Sequence, residues 1–218
     1  MRSTIRTDDS GCPPLPSAGR CPVTAPRPLR ADARRNRERL LAAAETVFTT
    51  QGTGASTEEV ARQAGVGIGT VFRHFPTKEA LLAAVYSRLL EDLAATARDL
   101  ADAEDPGDAF HRFLELAVSR SGAKNAFADA LAEAGVPLPG PGESAKPGEG
   151  LASLGAALET LLRRAQQAGQ VRADLTPADV RAILIGVSRA VEHLPGDPEG
   201  RRRVTGTLLA GLRPPLSP

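Results

Sequence analysis

The chain has 218 residues, is only 3 % aromatic with no Trp, and draws its apolar content mainly from Ala, Leu and Val, which favours helices over sheet. Its formal net charge of +1 names no partner. No apolar run reaches the ~18–20 residues of a bilayer span and the arginine-bearing start lacks the apolar stretch of a secretory signal, so a cytoplasmic protein with no membrane partner is the default. Charge is unevenly placed: residues 1–39 carry nine Arg against four acids, while residues 91–134 carry ten acids against four cations. Only the front suits a polyanion.

Residues 1–30 hold Pro13, Pro14, Pro16, Pro22, Pro26 and Pro28 among Ser, Gly and Arg. Such a stretch buries too little apolar area to offset its ordering entropy and is expected to be a disordered tail. Its thinly spread arginines suit a passive tail better than an arm on DNA. Cys12 and Cys21, the only cysteines, lie there without a nearby His. They make neither a four-ligand zinc site nor a disulfide framework, and no metal or cofactor is expected.

From Ala31 the pattern becomes helical. Leu40, Leu41, Ala44, Val47 and Phe48 share one face, arginines crowd the early turns, and Gly52 and Gly54 stop the helix. A short helix follows, opened by Ser56 with Glu59 three residues on, the pattern of a capping box. Gly65 ends it, Val66-Gly67 turns the chain, and Ile68 to Phe75 forms a second short helix closed by Pro76. Thr77 caps a longer helix through Leu81, Leu82, Val85, Leu89 and Leu93. Past Asp105-Pro106-Gly107 lies an amphipathic helix with Phe110, Phe113, Leu114, Ala117 and Val118, then a weaker one over 123–135. His111, flanked by inward phenylalanines, is expected to be exposed. Pro137 to Gly150 reads as a loop. Leu151, Leu154, Leu158, Leu161 and Leu162 mark a strong helix ending near Gly169. Pro177 opens a helix with Val180, Ile183, Leu184, Val187 and Val191, and the last runs from about Pro198 to Leu212 with Val204, Leu208 and Leu212 inward.

The fold class is therefore all-α. Two helices of about eight residues joined by a short turn containing Gly make a helix-turn-helix. A helix interior disfavours each Gly by ~1 kcal/mol, so three in five residues need a reason. Gly65 can take φ > 0 at the turn. Gly67 and Gly69 sit at the end of the second helix that meets base edges in the major groove, where missing side chains let backbone approach the duplex.

Here the residues resemble the DNA-binding domain of the TetR family of transcriptional regulators. The matching pieces are Arg37-x-x-Leu40-Leu41-x-Ala43-Ala44 with Phe48, then Thr57-x-x-x-Val60-Ala61-x-x-Ala64-Gly65-Val66-x-x-Gly69-Thr70-Val71-Phe72-x-x-Phe75, then Lys78-Glu79-x-Leu81-Leu82. The resemblance implies a three-helix DNA-binding domain at 31–78 and a helical-bundle domain for effector binding and dimerisation at 79–218. The sequence departs from the family at Phe72, where Tyr is usual, which would cost one phosphate hydrogen bond.

Phosphate contacts position such a domain and base contacts specify its site. Arg34, Arg35 and Arg37 are phosphate candidates, though a solvated basic face would look the same. Thr57 resembles a family phosphate contact, and Lys78 reaches the backbone as a point charge. Thr70, Arg73 and His74 are candidates for base edges, with Ile68 and Gly69 against the groove floor. Phosphate suits Arg73 nearly as well, and packing or phosphate suits His74 better than base readout.

A single helix-turn-helix buries too little DNA for tight specific binding, so a twofold homodimer on a palindromic operator is expected. By the resemblance the last two helices form the dimer; an intramolecular core would use the same leucines, and the sequence leaves both open. The middle helices would enclose a small, mostly apolar effector against Phe110, Phe113, Leu114, Phe127, Leu154 and Leu158, a stripe that also fits an ordinary core. The mechanism implied is a repressor whose ligand shifts the separation of its recognition helices and releases DNA, with activation instead of repression left open by the sequence. One rival keeps the DNA-binding front and gives the rear only dimer or protein contacts. An enzyme is not expected: the sequence has no nucleophile elbow, no phosphate loop after a strand and no metal-spaced His/Cys set.

Overall fold

A computed structural model describes residues 27–138 and 149–214. Both cysteines, most of the expected tail and most of the expected Pro/Gly loop lie outside the described residues. Among the described residues there are nine helices and no strands: α1 (Arg27–Gln51), α2 (Thr57–Ala64), α3 (Ile68–His74), α4 (Lys78–Ala101), α5 (Pro106–Ser119), α6 (Ser121–Glu133), α7 (Glu149–Gln167), α8 (Pro177–Glu192) and α9 (Pro198–Ala210). No helix among them is long and apolar enough to cross a membrane.

The first helix begins at Arg27, inside the segment read as tail. Pro28 falls in its first turn, where the missing N–H has no intrahelical partner to lose. The last helices start as their sequences dictate. Thr176 and Asp179 form a reciprocal capping box ahead of α8, with Pro177 at its first position. Asp197 caps α9 through Gly200 N–H at 2.7 Å.

Two main apolar cores divide the molecule. In the front one, Leu40, Ala44, Val47 and Phe48 of α1 meet Val60 and Ala61 of α2, Val71 of α3, Phe75, and Leu81, Leu82 and Val85 of α4. The rear core gathers Phe110, Phe113 and Leu114 of α5 with Leu158, Leu161 and Leu162 of α7, Val180 of α8 and Leu209 and Leu212 at the end of the chain. Burying each such side chain contributes roughly 1.5–3 kcal/mol before entropy is charged. Leu81 of α4 lies in the front core and Ala97 of the same helix in the rear core, so α4 runs through both.

Several inward faces differ from those the spacing implies. Phe127 joins the front core rather than the stripe of Phe110 and Phe113: its ring meets Phe48 edge-on, centroids 6.1 Å apart. On α9 the fully buried side chains are Thr205 and Leu209; of the expected inward residues, Leu212 just past the helix is buried and Val204 partly so, while Leu208 is 46 % exposed. Stepping by four residues drifts ~40° around a helix at each step, so a line through 204, 208 and 212 does not stay on one face. His111 is partly buried, not exposed. Its Nδ1–H donates to the Gly107 carbonyl at 2.8 Å, and Nε2 is buried with no partner among the described residues. Gly150, read as the end of a loop, lies inside α7, where a Cβ would come within 2.6 Å of the Ser87 carbonyl oxygen. That glycine is a close crossing of α7 over α4, the most extensively packed helix pair.

Candidate nucleic-acid interface

The helix-turn-helix is built by local chemistry. Ser56 caps α2, its hydroxyl accepting from Glu59 N–H at 3.2 Å. The reciprocal half of the expected capping box is missing: Glu59 instead pairs with Arg62 and accepts from the Gln51 amide at 3.1 Å. The Arg62 hydrogen bond is the chief reason the Glu59 carboxyl is held below its ordinary range. At the other end Gly65 sits at φ 66°, donating to Arg62, while Val66 N–H reaches the Ala61 carbonyl at 3.0 Å. These paired bonds satisfy the last carbonyls of α2 and need a left-handed residue at 65. Arg39, which the sequence reading did not single out, donates to the Ala64 carbonyl at 2.9 Å and ties α1 to this same turn. Its only sequence signal is its place in the arginine run.

On α3, Val71 alone is fully buried. Phe72 is 44 % exposed, and Gly67, Gly69 and Arg73 are also exposed. Ile68 is half-buried and packs on the front core, so it anchors α3 more than it faces outward. Thr70 and His74 are half-buried, with the His74 ring 6.4 Å from that of Phe75. A Cβ added to Gly67 or Gly69 would meet no protein atom within 4 Å, and neither residue has positive φ.

The cationic candidates are held in different ways. Arg34 and Arg35 are exposed and pair with Glu38 and Asp32, ion pairs of little worth in water. The Arg37 guanidinium lies 5.2 Å from the Phe75 ring centroid, linking α1 to the end of α3. Lys78 opens α4 after its cap Thr77 and sits 5.8 Å from the Phe48 ring. Thr57 is only 9 % exposed and is not the cap of α2.

The six residues expected around an effector do not form one wall. Phe110, Phe113, Leu114 and Leu158 are buried in the rear core with Leu154 against it, and Phe127 is in the front core. A half-open cleft of about 1320 Å³ lies elsewhere, between α4, the α5–α6 junction and the facing ends of α8 and α9, and none of the six lines it. At its edge α6 is fastened to α8: buried Asn125 donates to Glu192 at 2.5 Å and to Ser188 at 3.3 Å, and Arg189 donates to Asp129 at 2.8 Å.

Helices throughout the described residues, with a glycine-turned helix pair at the front, define a helix-turn-helix DNA-binding regulator. Residues 40–85 match the model described as bacterial regulatory proteins, tetR family, and residues 105–214 match that of the transcriptional regulator SbtR-like C-terminal domain. The crystal structure of a TetR transcription regulatory protein from Mycobacterium vanbaalenii is 41 % identical over 86 % of this chain and all of that one, with a TM-score of 0.66. A TetR transcriptional regulator from Streptomyces coelicolor is 32 % identical over 82 % of this chain and 98 % of its own, with a TM-score of 0.64. A third structure, concerned with control of antibiotic production by bacterial hormones, is 25 % identical over 83 % of this chain and 98 % of its own, at 0.66. The chain belongs to the TetR family and is a DNA-binding transcriptional regulator.

Proposed function

We propose that the protein is a homodimeric repressor that holds a palindromic operator through residues 31–78 and leaves it when a small, largely apolar effector binds within residues 79–218. The observation that carries the DNA-facing part is Gly69. It lies inside α3, is exposed, has ordinary helical φ, and leaves open space where its Cβ would be. The fold gains nothing from a residue that costs a helix ~1 kcal/mol, so the requirement comes from outside the chain: close approach of a duplex.

Around that contact Arg73 takes a guanine edge or a phosphate, Thr70 and Phe72 lie toward the groove wall, and Gly67 lets the start of α3 come close. His74 and Ile68 support the helix from behind. Arg34, Arg35 and Lys78 serve as phosphate contacts, Arg37 does so while stacked on Phe75, and Thr57 offers its N–H at the start of α2. Dimerisation through α8 and α9 is supported by Ile185, 61 % exposed next to the exposed Gly186, and by Leu208, 46 % exposed. Small residues let helices approach closely, and large exposed aliphatics favour a partner.

The cleft, not the buried phenylalanines, is the place for an effector. Complete burial of Phe110, Phe113, Leu114 and Leu158 also supports the second reading, a rear domain that binds no small molecule. Selection of bound fragments from genomic DNA, followed by footprinting and light scattering, tests the dimer on its operator. The expected result is two protected half-sites about one duplex turn apart with two protomers bound. Protection of a single half-site by a monomer would overturn it.

A further inference from the structure

The cleft is ringed by both signs of charge, and the signs differ in how they are satisfied. From α1 and α4 come acids: Asp92 and Asp99 are exposed and solvated, and Glu45 faces Arg88 at 4.0 Å. Glu192 of α8 accepts from Asn125 and Arg189, and Arg112 of α5 pairs with Asp108 at 3.5 Å. Arg120, Arg201 and Arg202 also line the cleft without a carboxylate partner among the described residues but are exposed, so partial burial is what sets Lys124 of α6 apart. It is half-buried and its ammonium donates to the neutral Asn125 amide oxygen at 2.7 Å. Among the described residues no carboxylate lies within the 4.0 Å of an ion pair. Burial is the main reason its pKa is lowered, with the Arg189 charge second and Glu192 and Asp129 opposing. A cation that has given up water for one amide gains more from an incoming opposite charge than the solvated acids do.

The α4 face of the same cleft is mixed, with leucines alternating with Asp92, Thr96 and Asp99. Leu89, Leu93 and Leu100 of α4 line the cleft, with Leu116 and Val118 of α5. From Leu89 to Leu100 the helix rises ~16 Å, room for a medium-length alkyl chain.

We propose that the cleft takes an amphipathic anion, its carboxylate-like head on the Lys124 ammonium and its chain along the α4 leucines, and that this molecule is the effector. The inference rests on the effector reading above and names its ligand class. It also gives a route to the DNA-binding end. The Lys124 ammonium has three N–H donors, so the head joins Asn125 on it and draws the ammonium toward the cleft, pulling on the residue that fastens α6 to Ser188 and Glu192. Phe127, two residues along α6, packs on Phe48 of α1 in the front core.

The test uses the full chain with decanoate, 1-decanol and decylammonium, each below its micellar range, in calorimetric titrations and in release of the selected operator. Decanoate is expected to bind and release DNA, with decanol at least about tenfold weaker, as befits loss of one partly buried charge-assisted bond. Lys124→Met should weaken decanoate about tenfold, and Lys124→Arg should keep most of the affinity. Circular dichroism and melting establish that each variant folds, and release is scored against each variant's own operator affinity. Equal binding of decanoate and decanol, tighter binding of decylammonium, or an unaltered response in Lys124→Met overturns the anion assignment while leaving an effector in place. If none of the three probes binds and the operator is still held, the amphipathic-anion assignment falls, whereas the effector reading falls only if Lys124→Met and the unaltered chain both hold the operator against every apolar metabolite fraction of the cell.

Discussion

At the front of the molecule the outward side of α3 carries Arg73, Phe72 and two bare glycines; at the rear, the outward sides of α8 and α9 carry Ile185, Gly186 next to it, and Leu208. Glycine serves both surfaces, but its company differs. Beside cations it fits a polyanion, whose binding weakens steeply with salt. Beside exposed aliphatics it fits an apolar helix face, whose binding salt barely touches. If the proposed dimer forms, one chain offers two kinds of intermolecular surface, and the rear one multiplies what the front one can hold.

Breaking the rear surface should have the larger effect. Ile185→Asp with Leu208→Asp buries charge in any α8–α9 contact. Light scattering is expected to show a monomer, and operator affinity should fall by two orders of magnitude or more, because two half-sites no longer act as one ligand. A variant that remains dimeric would move the interface elsewhere.

Next comes the base contact. Arg73→Ala is expected to cost about 1–3 kcal/mol on the selected operator and much less on sequences altered at the base it reads. Losses of equal size on every sequence would reassign Arg73 to phosphate.

Gly69→Ala sharpens the contrast, because stability and binding should move in opposite directions. Urea unfolding is expected to show a gain of ~0.5–1 kcal/mol, since the added methyl meets open space on a helix. Operator affinity should drop as that methyl meets the duplex. A stabilised protein that binds as well as before would remove the reason for the glycine.

The smallest expected effect concerns pH. The Arg189 hydrogen bond is the main reason the Asp129 carboxyl is held below its ordinary range. A depressed carboxyl stabilises the fold above its unfolded pKa of about 4 and loses that contribution as pH falls through the depressed value. The pair is largely solvent-facing, so the difference is below about 1 kcal/mol. Asp129→Asn should flatten this part of the acid unfolding curve without shifting the neutral-pH melting point by more than a few degrees.

Much of the front was legible because its rules are local. Ser56 as cap, the left-handed Gly65 and the stop at Pro76 each depend on neighbours within about five residues. The misread details are those where a side chain had a choice of partners, near or distant. Glu59 left its own helix start for Arg62 and Gln51. Arg39 found the Ala64 carbonyl 25 positions away. Phe127, expected with Phe110 and Phe113, packs instead on Phe48 of α1 in the front core.

The sequence by itself determined the all-helical class, most helix boundaries and the DNA-reading unit, since caps, turns and periodicity act over a few residues and carry their own free energy. Only the tertiary structure decided which side of α9 faces inward, that His111 is partly buried, and that the open space of the rear domain lies beside Lys124 rather than among the phenylalanines. Those outcomes depend on how helices pack across the fold, and a helix whose apolar residues cover more than one face accepts several rotations at similar local cost until its neighbours fix one.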